Sequence, residues 1–130
     1  MSFLSRRHFI RQAGMASMIA GFPALRTNFP SISPSRKLRI AICGLGRYAN
    51  ILADGFKDST QCELAGIITG TPAKAEAWKK KYRIPEKNIY NYQNFDSIAT
   101  NTNIDLVYVV LPNSMHREYV IRAAKAGKHV

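Results

Sequence analysis

The fold is decided by the stretch Leu38-Arg39-Ile40-Ala41-Ile42-Cys43-Gly44-Leu45-Gly46-Arg47-Tyr48-Ala49. Its first half is a short apolar run with β-branched residues, which is typical of a buried strand, and the glycines that follow predict a tight turn. Residues 47–57 then place Tyr48, Ile51 and Leu52 at helical spacing, which predicts a helix with one apolar face. A strand, a glycine turn and a helix in direct succession open a β-α-β unit.

The rest of the sequence continues this alternation of strands and helices. Further strands are predicted at residues 62–69, 88–90 and 105–111, and further helices at residues 73–82, 95–99 and 114–126. Continuous apolar runs of this kind indicate parallel strands covered on both faces. The predicted fold class is therefore α/β, a Rossmann-type doubly wound parallel sheet, which is truncated at the start of a fifth strand at Lys128-His129-Val130. We expect Tyr108, on the fourth strand, to belong to the core.

The first turn carries a nucleotide-binding pattern. Residues 44–49 match G-x-G-x-x-G/A, with Gly44, Gly46 and Ala49 at the three specified positions. In this pattern the first glycine permits the tight turn, the second lets backbone N–H groups approach a pyrophosphate, and the small third residue keeps the helix close to the strand. The helix N-terminus adds unpaired N–H groups and the positive end of its dipole. We therefore expect a dinucleotide to bind at this turn.

The end of the second strand indicates which dinucleotide. A site for NAD places Asp or Glu there, to accept hydrogen bonds from the adenosine ribose. This sequence instead has Thr69-Gly70-Thr71-Pro72-Ala73-Lys74, without a carboxylate. A hydroxyl at Thr69 and a cation at Lys74 suit a 2′-phosphate, so the sequence favours NADP over NAD. The alternative is that Lys74 is an ordinary solvated residue of the helix.

The formal net charge of +11 is distributed unevenly along the 130 residues. Seven of the 19 basic residues lie in residues 1–39, which hold no acidic residue, whereas residues 40–130 combine 12 basic with 8 acidic side chains. The body of the chain is only mildly basic and has no basic stripe with interleaved aromatic side chains, so we expect no nucleic-acid partner. Three scattered His and two Cys show no metal-ligand spacing, so we expect no metal site.

Most of the excess positive charge lies in an N-terminal leader. Ser5-Arg6-Arg7-His8-Phe9-Ile10-Arg11 precedes a short, mildly apolar run at residues 13–22, which is the layout of an export signal. Its core resembles the bacterial twin-arginine signal, so we expect residues 1–25 to direct the chain to the periplasm through the twin-arginine export machinery. The alternative is an ordinary amphipathic N-terminal helix. Residues 26–37 contain Pro and Ser without periodicity and are predicted to form an extended arm.

Five segments of the sequence, in this order, resemble a known family. They are Gly44-Leu45-Gly46-Arg47-Tyr48-Ala49, Thr69-Gly70-Thr71-Pro72-Ala73-Lys74, Ile89-Tyr90-Asn91-Tyr92-Gln93-Asn94-Phe95-Asp96, Leu111-Pro112-Asn113-Ser114-Met115-His116 and Ala126-Gly127-Lys128-His129-Val130. Together they are similar to the N-terminal, NAD(P)-binding half of the Gfo/Idh/MocA oxidoreductases, and most similar to the glucose–fructose oxidoreductases of that family. The resemblance covers residues 38–130 almost continuously.

The resemblance implies a role for each matching position. The cofactor-binding residues that it implies are Gly44, Leu45, Gly46, Arg47 and Tyr48 around the pyrophosphate, Thr69 and Lys74 at the 2′-phosphate, Tyr92 at the third crossover, Leu111, Pro112 and Asn113 beneath the nicotinamide ribose, and His116 at the start of the next helix. For His116 a structural role is the alternative. None of these residues is implied to be catalytic.

The resemblance also implies an activity. A longer protein of this type would be an NADP-dependent oxidoreductase that transfers hydride to or from a sugar or related polyol, and it would be a homo-oligomer. In this family Gly-Lys-His-Val is followed by a Glu-Lys-Pro segment whose Lys serves catalysis, and by a second domain that binds the sugar. Because the sequence ends at Val130, we expect the cofactor half without the reaction centre. The alternative is a non-catalytic dinucleotide-binding or scaffold module.

Overall fold

The computed structural model describes residues 36–130, which form strands joined by helices. The elements are β1 Leu38–Cys43, α1 Arg47–Lys57, β2 Cys62–Ile68, α2 Pro72–Tyr82, β3 Ile89–Tyr90, β4 Leu106–Val109 and α3 Asn113–Lys125, with 3₁₀ helices at Glu86–Asn88 and Phe95–Thr100. Each predicted strand from the first to the fourth, and each predicted helix, is present. Gly127 has a φ of +71°, and its left-handed conformation ends α3 as a glycine at this position commonly does.

The four strands form one parallel sheet in the order β3-β2-β1-β4. The chain thus builds outward from β1 in one direction and then crosses back to place β4 on its other side. This order confirms the predicted Rossmann-type sheet, and it creates a switch point between β1 and β4 where ligands of such folds bind. Of the predicted fifth strand, the structure forms a single parallel bridge between His129 and Leu106.

Apolar side chains cover both faces of the sheet. Along β1, Ala41 and Cys43 belong to the core that contains Phe95 and Tyr119, whereas Ile42, between them, belongs to the core that contains Trp78. Alternation along the strand therefore sends neighbouring side chains into two different cores. The helices α1 and α2 cover one face, and α3 with the 3₁₀ helix Phe95–Thr100 covers the other, which is why β1 is buried from both sides.

Two predictions were wrong, one for part of the predicted apolar face of α1 and one for Tyr108, although Leu52 on that predicted face does pack against the core. Tyr48 and Ile51 are 52% and 63% exposed, because α1 packs on the sheet through its small residues Ala49 and Ala53. Tyr108 is not in the core either: its neighbour Val107 fills the core on the α3 face, so Tyr108 points to the opposite face and is 37% exposed. A hydrogen bond with Tyr48 raises the pKa of the Tyr108 phenol.

The predicted twin-arginine signal at residues 1–25 lies outside the described residues, as does the predicted arm except for Arg36 and Lys37. These two residues contact the sheet end remote from the glycine turn: Arg36 pairs with Asp105 at 3.1 Å, and Lys37 donates to the Ser59 carbonyl at 2.8 Å. Within residues 36–130, every helix is too short or too polar to cross a lipid bilayer.

Asp105 fixes the amino ends of β1 and β4 to each other. Its carboxylate accepts hydrogen bonds from the backbone N–H of Arg39 at 2.9 Å and from the Arg39 guanidinium at 3.0 and 2.9 Å. Arg39 also donates to the Thr102 carbonyl and so ties the loop before β4 to the first strand. The bonds from Arg39 hold the pKa of Asp105 well below its usual range. This clamp is well shielded from solvent, since the Asp105 side chain is 16% exposed.

We expect Asp105→Asn to lower the free energy of unfolding by about 1–3 kcal/mol at pH 7, since a charge-assisted cluster loses its anion. Because the folded-state pKa is depressed, the wild-type advantage is present above the unfolded-state pKa of about 3.9 and is lost as the pH falls toward the folded-state pKa. Urea unfolding of the full chain at several pH values measures this. Asp58→Asn, at an exposed Asp, is the control; equal loss in both variants would contradict the clamp.

Candidate nucleotide-binding site

A cavity of about 500 Å³ opens where β1, β2 and β4 end, at the switch point of the sheet. Three turns form it: the glycine turn after β1, the β2–α2 turn and the β4–α3 turn, with the loop after β3 closing one side. The lining residues are Gly44, Leu45, Gly46, Thr69, Gly70, Thr71, Lys74, Tyr92, Gln93, Val110, Leu111 and Pro112.

The glycine turn depends on Gly44 for a steric reason. Gly44 has a φ of +99°, and a Cβ there would overlap the Val110 carbonyl and lie 2.8 Å from the Leu111 side chain. Hydrogen bonds keep the turn in this place: the Gly44 N–H donates to Ile68 O at 2.9 Å, and the Val110 N–H donates to Cys43 O at 2.8 Å. The turn is therefore fixed between its two neighbouring strands.

Gly46 is exposed, and it differs from Gly44 because nothing lies within 4 Å of the place a Cβ would take. It is the N-cap residue of α1 in an extended conformation, without a side-chain hydrogen bond to the cap and without an acidic residue in the first turn. The first N–H groups of a helix have no partner within it, and the dipole makes this end positive. The exposed backbone at Gly46 is therefore suited to bind an anion in the cavity.

The N-terminus of α2 also lies at the cavity, and like that of α1 it is uncapped. α2 begins at Pro72 after the N-cap Thr71, again without a side-chain cap and without an acidic residue in its first turn. The buried hydroxyl of Thr69 accepts a hydrogen bond from the Thr71 N–H at 3.2 Å, which shapes the turn before the helix. Lys74 Nζ donates to the Leu45 carbonyl at 3.2 Å, so its ammonium group bridges α2 and the glycine turn across the cavity.

Tyr92 forms the wall opposite the glycine turn. Its ring lies over Gly70, where a Cβ would come within 2.8 Å of the ring, and it packs against Tyr119 with 5.2 Å between the ring centroids. Burial raises the pKa of Tyr92, which keeps the phenol neutral. A neutral aromatic wall beside two helix N-termini and one lysine gives a cavity with an apolar side and a positive side.

The structure gathers eight of the twelve predicted site residues at this cavity, namely Gly44, Leu45, Gly46, Thr69, Lys74, Tyr92, Leu111 and Pro112. Arg47 and Asn113 are the exposed first residues of α1 and α3, next to the cavity but not lining it. Tyr48 faces Tyr108. His116 lies elsewhere, in an apolar cavity of about 400 Å³ beside β4 that also includes Tyr108 and Val120.

Four lining residues were not among the predicted ones: Gly70, Thr71, Gln93 and Val110. Gly70 and Thr71 lie between the predicted residues Thr69 and Lys74 on the same turn. A turn that leads into a helix at Pro72 is a signal that could have identified them. Gln93 lies in a segment that resembles the family and Val110 directly follows β4, but the sequence predicts no role for either residue.

Cys43 lies directly before the glycine turn and is fully buried. Burial raises the pKa of its thiol to about 12, so it is a protonated, packed side chain and not a nucleophile. In the parallel register Cys43 pairs with Ile68 and Cys62 pairs with Leu38, at opposite ends of the two strands. Both cysteines are free.

Comparison with known proteins assigns this fold and cavity to a family. Residues 38–130 match the family described as "Oxidoreductase family, NAD-binding Rossmann fold". The chain therefore belongs to the Gfo/Idh/MocA oxidoreductases.

Two solved structures and one curated protein illustrate the similarity. The aldose-aldose oxidoreductase of Caulobacter crescentus, solved with glycerol, is 47% identical with a TM-score of 0.72, over 73% of this chain and 29% of its own. The scyllo-inositol dehydrogenase of Lactobacillus casei, solved with NAD(H) and scyllo-inositol, is 28% identical with a TM-score of 0.63, over 73% and 27%. An NADP(+) D-xylose 1-dehydrogenase of Haloferax volcanii is 31% identical over 55% of this chain and 21% of its own. The chain spans about a quarter of the length of the first curated relatives it matches.

We expect the two glycines of the turn to differ in their contribution to the free energy of unfolding. Gly44→Ala forces a left-handed φ and an overlap with the Val110 carbonyl, so we expect it to lower the free energy of unfolding by about 2–4 kcal/mol. Gly46→Ala has an extended backbone and free space, so we expect a change below about 0.5 kcal/mol. Urea unfolding of the two variants measures both, and equal losses would contradict this account of the turn.

Proposed function

We propose that the chain is the nucleotide-binding part of an NADP-dependent oxidoreductase that acts on a sugar or a related polyol. One observation carries the proposal: the glycine turn, the α2 N-terminus and the Lys74 ammonium group line one cavity at the switch point of the sheet. Membership of the family supports the oxidoreductase class. The aldose, inositol and xylose enzymes named above support the class of substrate.

The residues of the cavity fit a dinucleotide. The bare backbone at Gly46 and the uncapped start of α1 suit the negatively charged diphosphate. The ring of Tyr92 and the side chain of Leu111 offer apolar surface on the remaining sides. When bound, the nicotinamide would accept or donate the hydride. The residues of this chain would bind and orient it: Gly46 by its exposed backbone, Lys74 by its charge, and Tyr92, Leu111 and Pro112 as walls.

The choice of NADP rests on charge. Among the described residues, those lining the cavity include one lysine and no carboxylate. A carboxylate at this place would bind the ribose hydroxyls of NAD and repel a 2′-phosphate. Lys74 Nζ donates to a backbone carbonyl at 3.2 Å. Exchanging this hydrogen bond for one to a phosphate costs little free energy, because the phosphate is a charged acceptor. One of the similar proteins is solved with NAD(H) and another is named for NADP(+). The proposal of NADP therefore rests on the residues of this cavity and not on the relatives.

Titration of the full chain with NADPH and NADH tests the proposal. We expect NADPH to bind more tightly than NADH. We expect Lys74→Gln to weaken NADPH binding about tenfold and to change NADH binding less than about twofold, because only NADPH carries the 2′-phosphate that Lys74 would contact. Lys80→Gln removes the same charge from a position of the same helix that does not line the cavity, and it serves as control.

Three results would count against the proposal. Equal weakening of both nucleotides by Lys74→Gln would place Lys74 at the diphosphate and remove the argument for NADP. Equal effects of Lys74→Gln and Lys80→Gln would reduce the preference to net charge. Absence of binding by the folded wild-type chain would overturn the nucleotide site itself.

We propose further that residues 1–25 export the chain to the periplasm by the twin-arginine route. The support is the Ser-Arg-Arg-x-Phe-Ile core before a short apolar run. This route carries folded proteins, so a nucleotide bound in the cytoplasm would leave with the protein.

Replacing Arg6 and Arg7 together by Lys should abolish export of the tagged full chain in a bacterium with the twin-arginine machinery, although the charge of the leader is kept. Fractionation into cytoplasm and periplasm measures it. Arg11→Lys, in the same leader, should leave export unchanged. Export that persists in the double variant would contradict the twin-arginine route, and a wild-type chain that stays in the cytoplasm would favour an ordinary amphipathic helix at residues 1–25.

A further inference from the structure

The guanidinium group of Arg122, near the end of α3, lies behind the Tyr92 wall. It donates from Nη2 to the Tyr92 carbonyl at 3.1 Å, and from Nε and Nη2 to the two carboxylate oxygens of Asp96 at 2.9 and 3.1 Å. It also lies close to two aromatic rings, with Cζ 4.9 Å from the centroid of Phe95 and 5.1 Å from that of Tyr119. One side chain therefore joins α3 to both ends of the short loop between Tyr92 and Asp96.

The same two elements also fix the ring of Tyr92. Tyr119, on α3 one turn before Arg122, packs on the Tyr92 ring at 5.2 Å and on Phe95 at 5.3 Å. The far side of the Tyr92 ring lies against Gly70 at the cavity. The ring thus stands between α3 and the β2–α2 turn, and Arg122 holds the backbone from which it projects.

The geometry requires an arginine. The planar fork reaches a backbone carbonyl and both oxygens of a carboxylate at once, with its carbon near two aromatic rings. A lysine ammonium group lacks this fork and cannot make the two parallel bonds to the carboxylate. The Arg122 side chain is 20% exposed although Asp96 is 70% exposed, so the charge is held at the protein surface and not in open solvent. The ion pair lowers the pKa of Asp96 and raises that of Arg122, so both stay charged near neutral pH.

We propose that Arg122 is a positioning residue of the nucleotide site: it sets the place of the Tyr92 ring over Gly70, and with it the width of the cavity on the side opposite the glycine turn. The inference rests on the proposed function, because width matters only if a dinucleotide occupies the cavity. Arg122 itself does not line the cavity. Its effect on binding therefore passes through Tyr92.

A double-mutant cycle on the full chain tests this. NADPH dissociation constants and urea unfolding are measured for wild type, Tyr92→Ala, Arg122→Gln and the double variant. We expect Tyr92→Ala to weaken NADPH about tenfold and Arg122→Gln about fivefold, and the double variant to bind no more weakly than Tyr92→Ala alone. Stability behaves differently: Arg122→Gln should destabilise both backgrounds, since its contacts with Asp96 and Phe95 do not need the Tyr92 ring.

The control is Arg117→Gln, which removes an equal charge from an exposed position of α3 and should leave NADPH affinity within about twofold. If Arg122→Gln does not fold, Arg122→Lys takes its place in the cycle, since it keeps the charge and the aliphatic stem but lacks the fork. We expect Arg122→Lys to weaken NADPH about threefold, and this loss also to vanish when Tyr92 is Ala.

The outcomes separate this inference from the proposed function. If the two losses in NADPH affinity multiply in the double variant, Arg122 acts on the site independently of Tyr92 and the inference is overturned. If Tyr92→Ala leaves affinity unchanged while Lys74→Gln lowers it, the site stands and the inference falls. If the folded wild-type chain binds no NADPH, the proposed function fails and the inference fails with it.

Discussion

The absence of a side chain at Gly44 is the constraint on which the site depends. Because there is no Cβ, the turn after β1 lies against the backbone of Val110, and hydrogen bonds tie it to β2 and to the end of β4. The same approach brings the start of α1 to the switch point of the sheet, where its unpaired N–H groups face the cavity. A larger residue would separate β1 from β4 and move the anion-binding end of α1 away from the other walls.

The two ends of the sheet have different tasks. At the amino end, Asp105 and Arg39 hold β1 and β4 in register through an ion pair that is mostly shielded from water. At the carboxyl end the backbone is left open, and the polar groups that converge there include two helix N-termini and a lysine. Strong local contacts at one end thus allow the other end to keep unpaired groups for a ligand. Arg122 on α3 is similar, because its contacts lie behind the Tyr92 wall and outside the cavity itself.

Much of this arrangement could be predicted from local sequence. The β1–turn–α1 unit, the parallel sheet and the walls at Thr69, Lys74 and Leu111 followed from apolar runs, glycine spacing and family resemblance. What failed depended on packing between elements. The glycine pattern placed Ala49 against the strand, but the apolar spacing of α1 did not show that Ala53 would also face the sheet and leave Ile51 exposed. The β4 run did not show that Tyr108 lies on its less covered face. His116 shared a segment with Leu111, but one turn of helix carried it to another cavity.

The central claim, that the nucleotide lies at the glycine turn, is tested most directly by backbone amide NMR shifts of the ¹⁵N-labelled full chain during addition of NADPH. The account predicts the largest shifts at Gly46 and Arg47, where the helix N–H groups would meet the diphosphate, and at Gly70 and Thr71 on the facing turn. The amides of Arg39, at the clamped end of the sheet, should not move. Shifts that instead centre on Tyr108 and His116 would place the nucleotide in the apolar cavity beside β4 and contradict the account.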